Sequence, residues 1–137
     1  MKRVLDKTLF YCICILLLSA CAPVYSPYIY DQTAELKIQS LAIINKATES
    51  FEKNKLKIEL LKSDLESIQL QEQMRKHNNI KVKQWNLLLD PKGYLLYGTL
   101  NKWQRDTTMT EEFIDLQRKL LGEAFDLIQE TEKQRLK

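Results

Sequence analysis

The sequence predicts an all-α protein: a small three- to four-helix bundle that follows a signal peptide and a short Pro/Tyr tether. Three observations carry this prediction. Gly and Pro number only 3 each in 137 residues, too few for the turns that an all-β fold needs. Beyond position 31 the apolar residues recur mostly at helical spacing rather than in alternation. The chain shows no internal repeat of the kind that marks a solenoid. A hydrophobic content of 45% and a charged content of 28% are ordinary for a globular chain, and the length allows one domain.

The first twenty residues form a segment of their own. "MKRVLDK" is a basic head, and Leu9 to Ala20 is an apolar run of twelve residues with one serine. At 1.5 Å per residue such a run spans about 18 Å, short of the ~30 Å hydrocarbon core of a bilayer. Extending it past Cys21 brings in Pro23 and Pro27, which end a helix. The layout is therefore that of a secretory signal rather than a permanent span. Leu18-Ser19-Ala20-Cys21 resembles the lipobox of bacterial lipoproteins, in which an aliphatic residue and two small ones precede an invariant cysteine. The resemblance covers only residues 1–22 and names a processing class, not a fold. It implies that the Cys21 thiol carries a diacylglycerol, that residues 1–20 are cleaved off, and that the freed amino group is acylated, for instance with palmitate. Two or more acyl chains hold a protein stably to a bilayer, whereas one does not. In that family the residue after the cysteine influences sorting, and Asp there favours the inner membrane. Ala22 instead implies the periplasmic face of the outer membrane in a Gram-negative cell.

Lipidation also accounts for the other cysteines. Cys12 and Cys14 lie in the apolar run, where cysteine behaves as a small hydrophobe. Their spacing is not that of a zinc pair, and no second pair exists. The part from Cys21 on has no disulfide, so its stability must come from helix packing. The signal segment carries Lys2, Arg3 and Lys7 against Asp6; the rest keeps 18 of the 21 basic and 17 of the 18 acidic side chains, close to neutrality. That balance excludes an electrostatic footprint for nucleic acid.

Residues 22–30, "APVYSPYIY", read as an extended spacer reaching about 30 Å when stretched. Its tyrosines, Tyr25, Tyr28 and Tyr30, fit either a membrane interface or packing against the domain. The domain itself is expected over residues 31–137. Asp31 is the expected cap of the first helix, which carries Ala34, Ile38, Leu41, Ala42 and Ile44. Ile58, Leu61, Leu65 and Ile68 then step by three, four and three until Glu72 interrupts the stripe. Residues 31–77 form either one helix of roughly 70 Å or a hairpin breaking near Asn54, and the short stripe favours the break. "HNN" at 77–79 ends that run, with Asn79 as cap for the next helix. Asp90-Pro91-Lys92-Gly93 is a turn: Asp suits its first position, Pro presets φ at the second, and Gly suits the fourth. Thr108 or Thr110 caps a last helix opening with Glu111 and Glu112. In that helix Phe113, Leu116, Leu120, Ala124 and Leu127 form one stripe, widened by Ile114, Leu121, Phe125 and Ile128.

No catalytic constellation emerges, and the chain is expected not to be an enzyme and to need no cofactor or metal. His77 is the one histidine and reads as a solvated helix-end residue. The glycines at 93, 98 and 122 stand apart, so no phosphate loop is formed. The lysines of "EKNKLK" with Lys62, and Lys81 with Lys83, read as solvated faces rather than as docking sites for anionic lipid or glycan. Trp85, Tyr94, Tyr97 and Trp103 flank the 90–93 turn; they either pack its two arms together or anchor a partner. The functional expectation is a membrane-anchored periplasmic lipoprotein with a non-catalytic structural or protein-binding role and a partner in the cell envelope. The alternative is an inhibitor or immunity protein that neutralises an enzyme or toxin at the membrane.

Overall fold

The computed structural model describes residues 24–136; the expected signal segment, the expected lipidation site Cys21, and Ala22 and Pro23 of the expected spacer lie outside the described residues. Five α-helices, and no strand, occur among the described residues: α1 (Pro27–Ile44), α2 (Phe51–Met74), α3 (Asn79–Leu88), α4 (Leu96–Asp106) and α5 (Glu111–Lys133), the last followed by a 3-10 turn at Gln134–Leu136. The all-α bundle is thus what the chain forms. The two arms of the 90–93 turn are short helices themselves, which raises the helix number above the three or four expected. No described helix is long and apolar enough to cross a membrane.

Helices α1, α2 and α5 run the length of the bundle, α2 and α5 parallel to each other and antiparallel to α1. One end, the base, holds the start of α1, the end of α2, the start of α3 and the end of α5. The opposite apex holds the loops at 45–50 and 107–110. Helix α5 packs along α1 and α3, and α2 along α1 and α3. Ile58, Leu61, Leu65 and Ile68 are buried as their spacing predicts, together with Trp85, Trp103, Leu100, Leu121, Phe125 and Ile128. Trp85 meets Phe125 edge-to-face at 6.2 Å and Trp103 meets Phe51 at 5.5 Å. Each such ring removes about 150–250 Å² from water, a gross gain of roughly 4–6 kcal/mol.

Several boundaries differ from the sequence expectation, and each has a local cause. Helix α1 begins at Pro27, not Asp31: Ser26 is the cap, its hydroxyl accepting from Ile29 N–H at 3.3 Å, and proline at the first helical position costs no hydrogen bond. The extended spacer therefore ends at Ser26 rather than Tyr30. The break between α1 and α2 falls at Asn45–Ser50. Asn54 sits inside α2, buried, its amide donating back to the Ser50 carbonyl at 3.3 Å. No side chain caps α2; the first N–H, of Phe51, donates to the Thr107 carbonyl from across the apex at 3.1 Å. Thr110, not Thr108, caps α5, accepting from Phe113 N–H at 3.3 Å. On α5 the inner row is Ile114, Gln117, Leu121, Phe125, Ile128 and Glu132, while Leu116 and Leu127 face solvent. On α1 Ile38 is likewise exposed, and Leu36, Ser40 and Ile43 face inward.

The 90–93 turn forms as read. Gly93 N–H donates to the Asp90 carbonyl at 3.1 Å, and the Asp90 carboxylate accepts from Lys92 N–H at 2.9 Å. Gly98 then packs α4 directly onto this turn. A Cβ at position 98 would lie 1.8 Å from the Gly93 carbonyl oxygen, so only glycine permits the approach.

Candidate functional site

Three charged residues occupy core positions at the base. Glu72 follows Ile68 by four on α2, Glu132 follows Ile128 by four on α5, and Lys81 precedes Trp85 by four on α3. Each continues the inward row of its own helix, so the three helices bring them together as they pack. All three are fully buried. Lys81 Nζ bridges the two carboxylates, donating to Glu72 Oε1 at 3.0 Å and Glu132 Oε2 at 2.7 Å. Arg75, in the turn after α2, donates through Nη1 to Glu72 Oε1 at 2.8 Å and to Glu132 Oε2 at 3.0 Å; its Nη2 reaches Glu132 Oε1 at 2.9 Å. Asn78 donates to the Glu72 carbonyl at 2.6 Å and to the Glu72 carboxylate, and accepts from Arg135.

The network also grips the entering chain. Ser26 N–H donates to Glu132 Oε1 at 2.7 Å, and Arg75 donates to the Val24 carbonyl. Nearby, Tyr30 packs beneath Lys133 at 5.8 Å and Tyr25 lies 6.4 Å from Tyr30, whereas Tyr28 is exposed. Packing against the domain thus holds two of the three tyrosines.

Charge pairing rather than solvent stabilises these ions. Burial pushes the Glu132 carboxyl up, but hydrogen bonds from Arg75, Lys81 and the Ser26 N–H outweigh it and hold the group at about 2. Burial likewise opposes the charge on Arg75, yet its bonds to Glu132 and Glu72 raise it. Arg135 is the cation in excess: burial lowers it, and the neighbouring Arg75 charge works in the same direction against Glu132. Its side chain is only 7% exposed, and Nη1 has no hydrogen-bond acceptor among the described residues.

The four aromatic positions around the turn separate into two kinds. Trp85 and Trp103 are wholly buried and offer no contact surface. The Trp103 indole N–H is shared between the Glu49 carbonyl at 3.0 Å and the Thr107 carbonyl at 3.1 Å, which binds the apical loops together. Tyr97 is half-buried, its hydroxyl donating to Glu66 at 3.0 Å, and burial together with that carboxylate pushes the phenol up. Tyr94 alone of the four projects, 87% exposed. It borders a cavity of about 470 Å³ between the turn, α4 and α5, where Lys102, Arg105 and Phe113 also line the wall.

His77 is exposed on the turn after α2 with a positive φ of 54°. Lys81 is the one residue of the lysine clusters whose solvated reading is overturned: its side chain reaches into the base and ends on two carboxylates. The sequence does carry a signal for the network, since Glu72, Lys81 and Glu132 each stand in the apolar register of their helix. No protein-family model, no curated protein and no solved structure matches this chain.

Proposed function

We propose that the chain is a lipid-anchored protein of the bacterial envelope with a non-catalytic, structural or protein-binding role, sited at the periplasmic face of the outer membrane. The observation that carries this reading is Leu18-Ser19-Ala20-Cys21 behind a basic head and a twelve-residue apolar run. Support comes from the short distance between Cys21 and the domain: Val24 is already held by Arg75, and α1 begins at Pro27. A diacylglyceryl group on Cys21 would therefore keep the base of the bundle against the bilayer. Tyr94 and the groove beside it, on the flank away from the base, supply the surface for an envelope partner, with the exposed aromatic as its anchor.

The test is direct. Cys21→Ser abolishes incorporation of labelled fatty acid into the protein and leaves residues 1–20 attached; unchanged labelling overturns the reading. A photo-crosslinking residue at position 94 yields a discrete adduct in intact cells, and recovery of monomer alone removes the binding role from this surface.

A further inference from the structure

Cations outnumber acids among the charges exposed at the base of the bundle. In the basal segments 24–30, 72–81 and 131–136 the acidic side chains are Glu72 and Glu132, both buried in the network. Lys76 and Lys133 are exposed there and Arg75 and Arg135 partly so, while the exposed acids Asp31 and Glu130 lie one residue outside these segments. At the apex acids and bases pair instead: Glu49 with Lys46 and Lys53, Glu52 with Lys55, and Asp106 with Lys102.

Apolar side chains share the basic end. Val24, Tyr28, Met74, Ile80 and Leu136 are all exposed, and each sits at or next to a helix terminus on the base. Beside Ile80 opens a cavity of about 450 Å³, lined also by His77, Asn79, Thr131, Gln134 and Arg135. It lies at the start of α3, where Asn78 makes no capping bond because its side chain is committed to Glu72. The first-turn N–H groups of α3 therefore lack a side-chain acceptor, and the buried Arg135 Nη1 lacks one too. Both call for an anion.

We propose that the base of the bundle is a membrane-docking face for anionic phospholipid. Lys76 and Lys133 meet the headgroup layer, a lipid phosphate seats between Arg135 and the first turn of α3, and Val24, Ile80 and Leu136 enter the interfacial region. Exposed apolar residues ringed by cations are the composition that binds an anionic bilayer surface. The occupant is argued from position as well as charge: Val24, on this face, stands three residues after Cys21 in the chain. In this respect the proposal rests on lipidation of Cys21, which places that membrane within reach. The apex then points away, so the bundle stands upright on the surface.

The mature protein, reconstituted into phosphatidylcholine vesicles with or without phosphatidylglycerol, is followed by amide hydrogen exchange. Docking slows exchange over residues 76–82 and 133–136 in the phosphatidylglycerol vesicles alone, raised salt reverses the effect, and residues 106–112 do not respond. Lys76→Glu combined with Lys133→Glu, both outside the buried network, removes the difference without loss of helix content, whereas Arg135→Gln weakens it. Equal exchange in the two vesicle types overturns the proposal. So does protection that inorganic phosphate reproduces on the detergent-solubilised protein, since that assigns the cavity to a free anion. The intact mass of the same sample reports separately on Cys21. If no acyl chain is present, co-sedimentation of the unlipidated protein with phosphatidylglycerol vesicles decides. Binding that falls roughly fivefold per removed lysine supports the docking face, and no binding refutes it.

Discussion

Replacing Glu132 by glutamine should cost this protein about 3 kcal/mol at neutral pH and change how it responds to acid. Glu132 accepts from Lys81, Arg75 and the Ser26 N–H, and Arg135 lies 3.7 Å away. Glutamine keeps the volume but leaves Lys81, Arg75 and Arg135 facing Glu72 alone. Breaking a buried pair by removing one partner costs about 3–5 kcal/mol, and the partly exposed Arg75, which can turn to solvent, puts this case at the lower end. A small domain with about 5–15 kcal/mol in total remains folded, so urea titration can read the difference. The acid response follows from linkage. The carboxyl is held at about 2 from an ordinary 4.5, which corresponds to about 3 kcal/mol and, after screening at the edge of the cluster, about 2 kcal/mol. A depressed carboxyl contributes stability above its unfolded pKa. That contribution is whole above about pH 5 and is lost as pH falls toward 2. The parent should therefore lose about 2 kcal/mol more than Glu132→Gln between those limits. An E132Q protein within 1 kcal/mol of the parent at pH 7, or an identical acid loss in both, would refute the account.

Two other substitutions probe the rest of the framework. Gly98→Ala should destabilise by about 3 kcal/mol, at the upper end of overpacking costs, because the added carbon meets the Gly93 carbonyl rather than a movable side chain; an unchanged urea midpoint would disprove the close approach. Thr107 adopts φ 69° and ψ −44° while its carbonyl accepts from Phe51 N–H and the Trp103 indole. A β-branched residue there is strained, so Thr107→Gly should raise stability by about 0.5–1 kcal/mol, read as a higher midpoint with unaltered m-value.

Local chemistry explains why some elements were legible in sequence. The Ile58–Ile68 stripe, the Asp90–Gly93 turn and the Thr110 cap each depend on residues within a few positions of one another, and each forms as expected. The α1–α2 break does not: Ser50 makes no side-chain cap, and the acceptor for Phe51 N–H comes from Thr107, more than fifty residues later. On α5 two apolar rows, one through Leu116 and Leu127 and one through Ile114, Leu121, Phe125 and Ile128, run along adjoining faces. Periodicity identifies both rows, but only the positions of α1 and α3 decide which one is covered.

The same division holds for the base. Sequence alone determined that the chain is helical, because spacing, caps and the scarcity of glycine and proline act locally. It also supplied the lipobox resemblance, which needs no fold. Only the tertiary structure decided that Glu72, Lys81 and Glu132 are one network rather than three solvated charges. A charged residue in an apolar register is stable only if its counter-ions arrive from other helices, here from α2, α3, α5 and the turn carrying Arg75. That convergence neutralises the carboxylates and leaves Arg135 with an unused donor. It also leaves Lys76, Lys133 and the exposed Val24, Ile80 and Leu136 together at the end of the bundle that holds Val24.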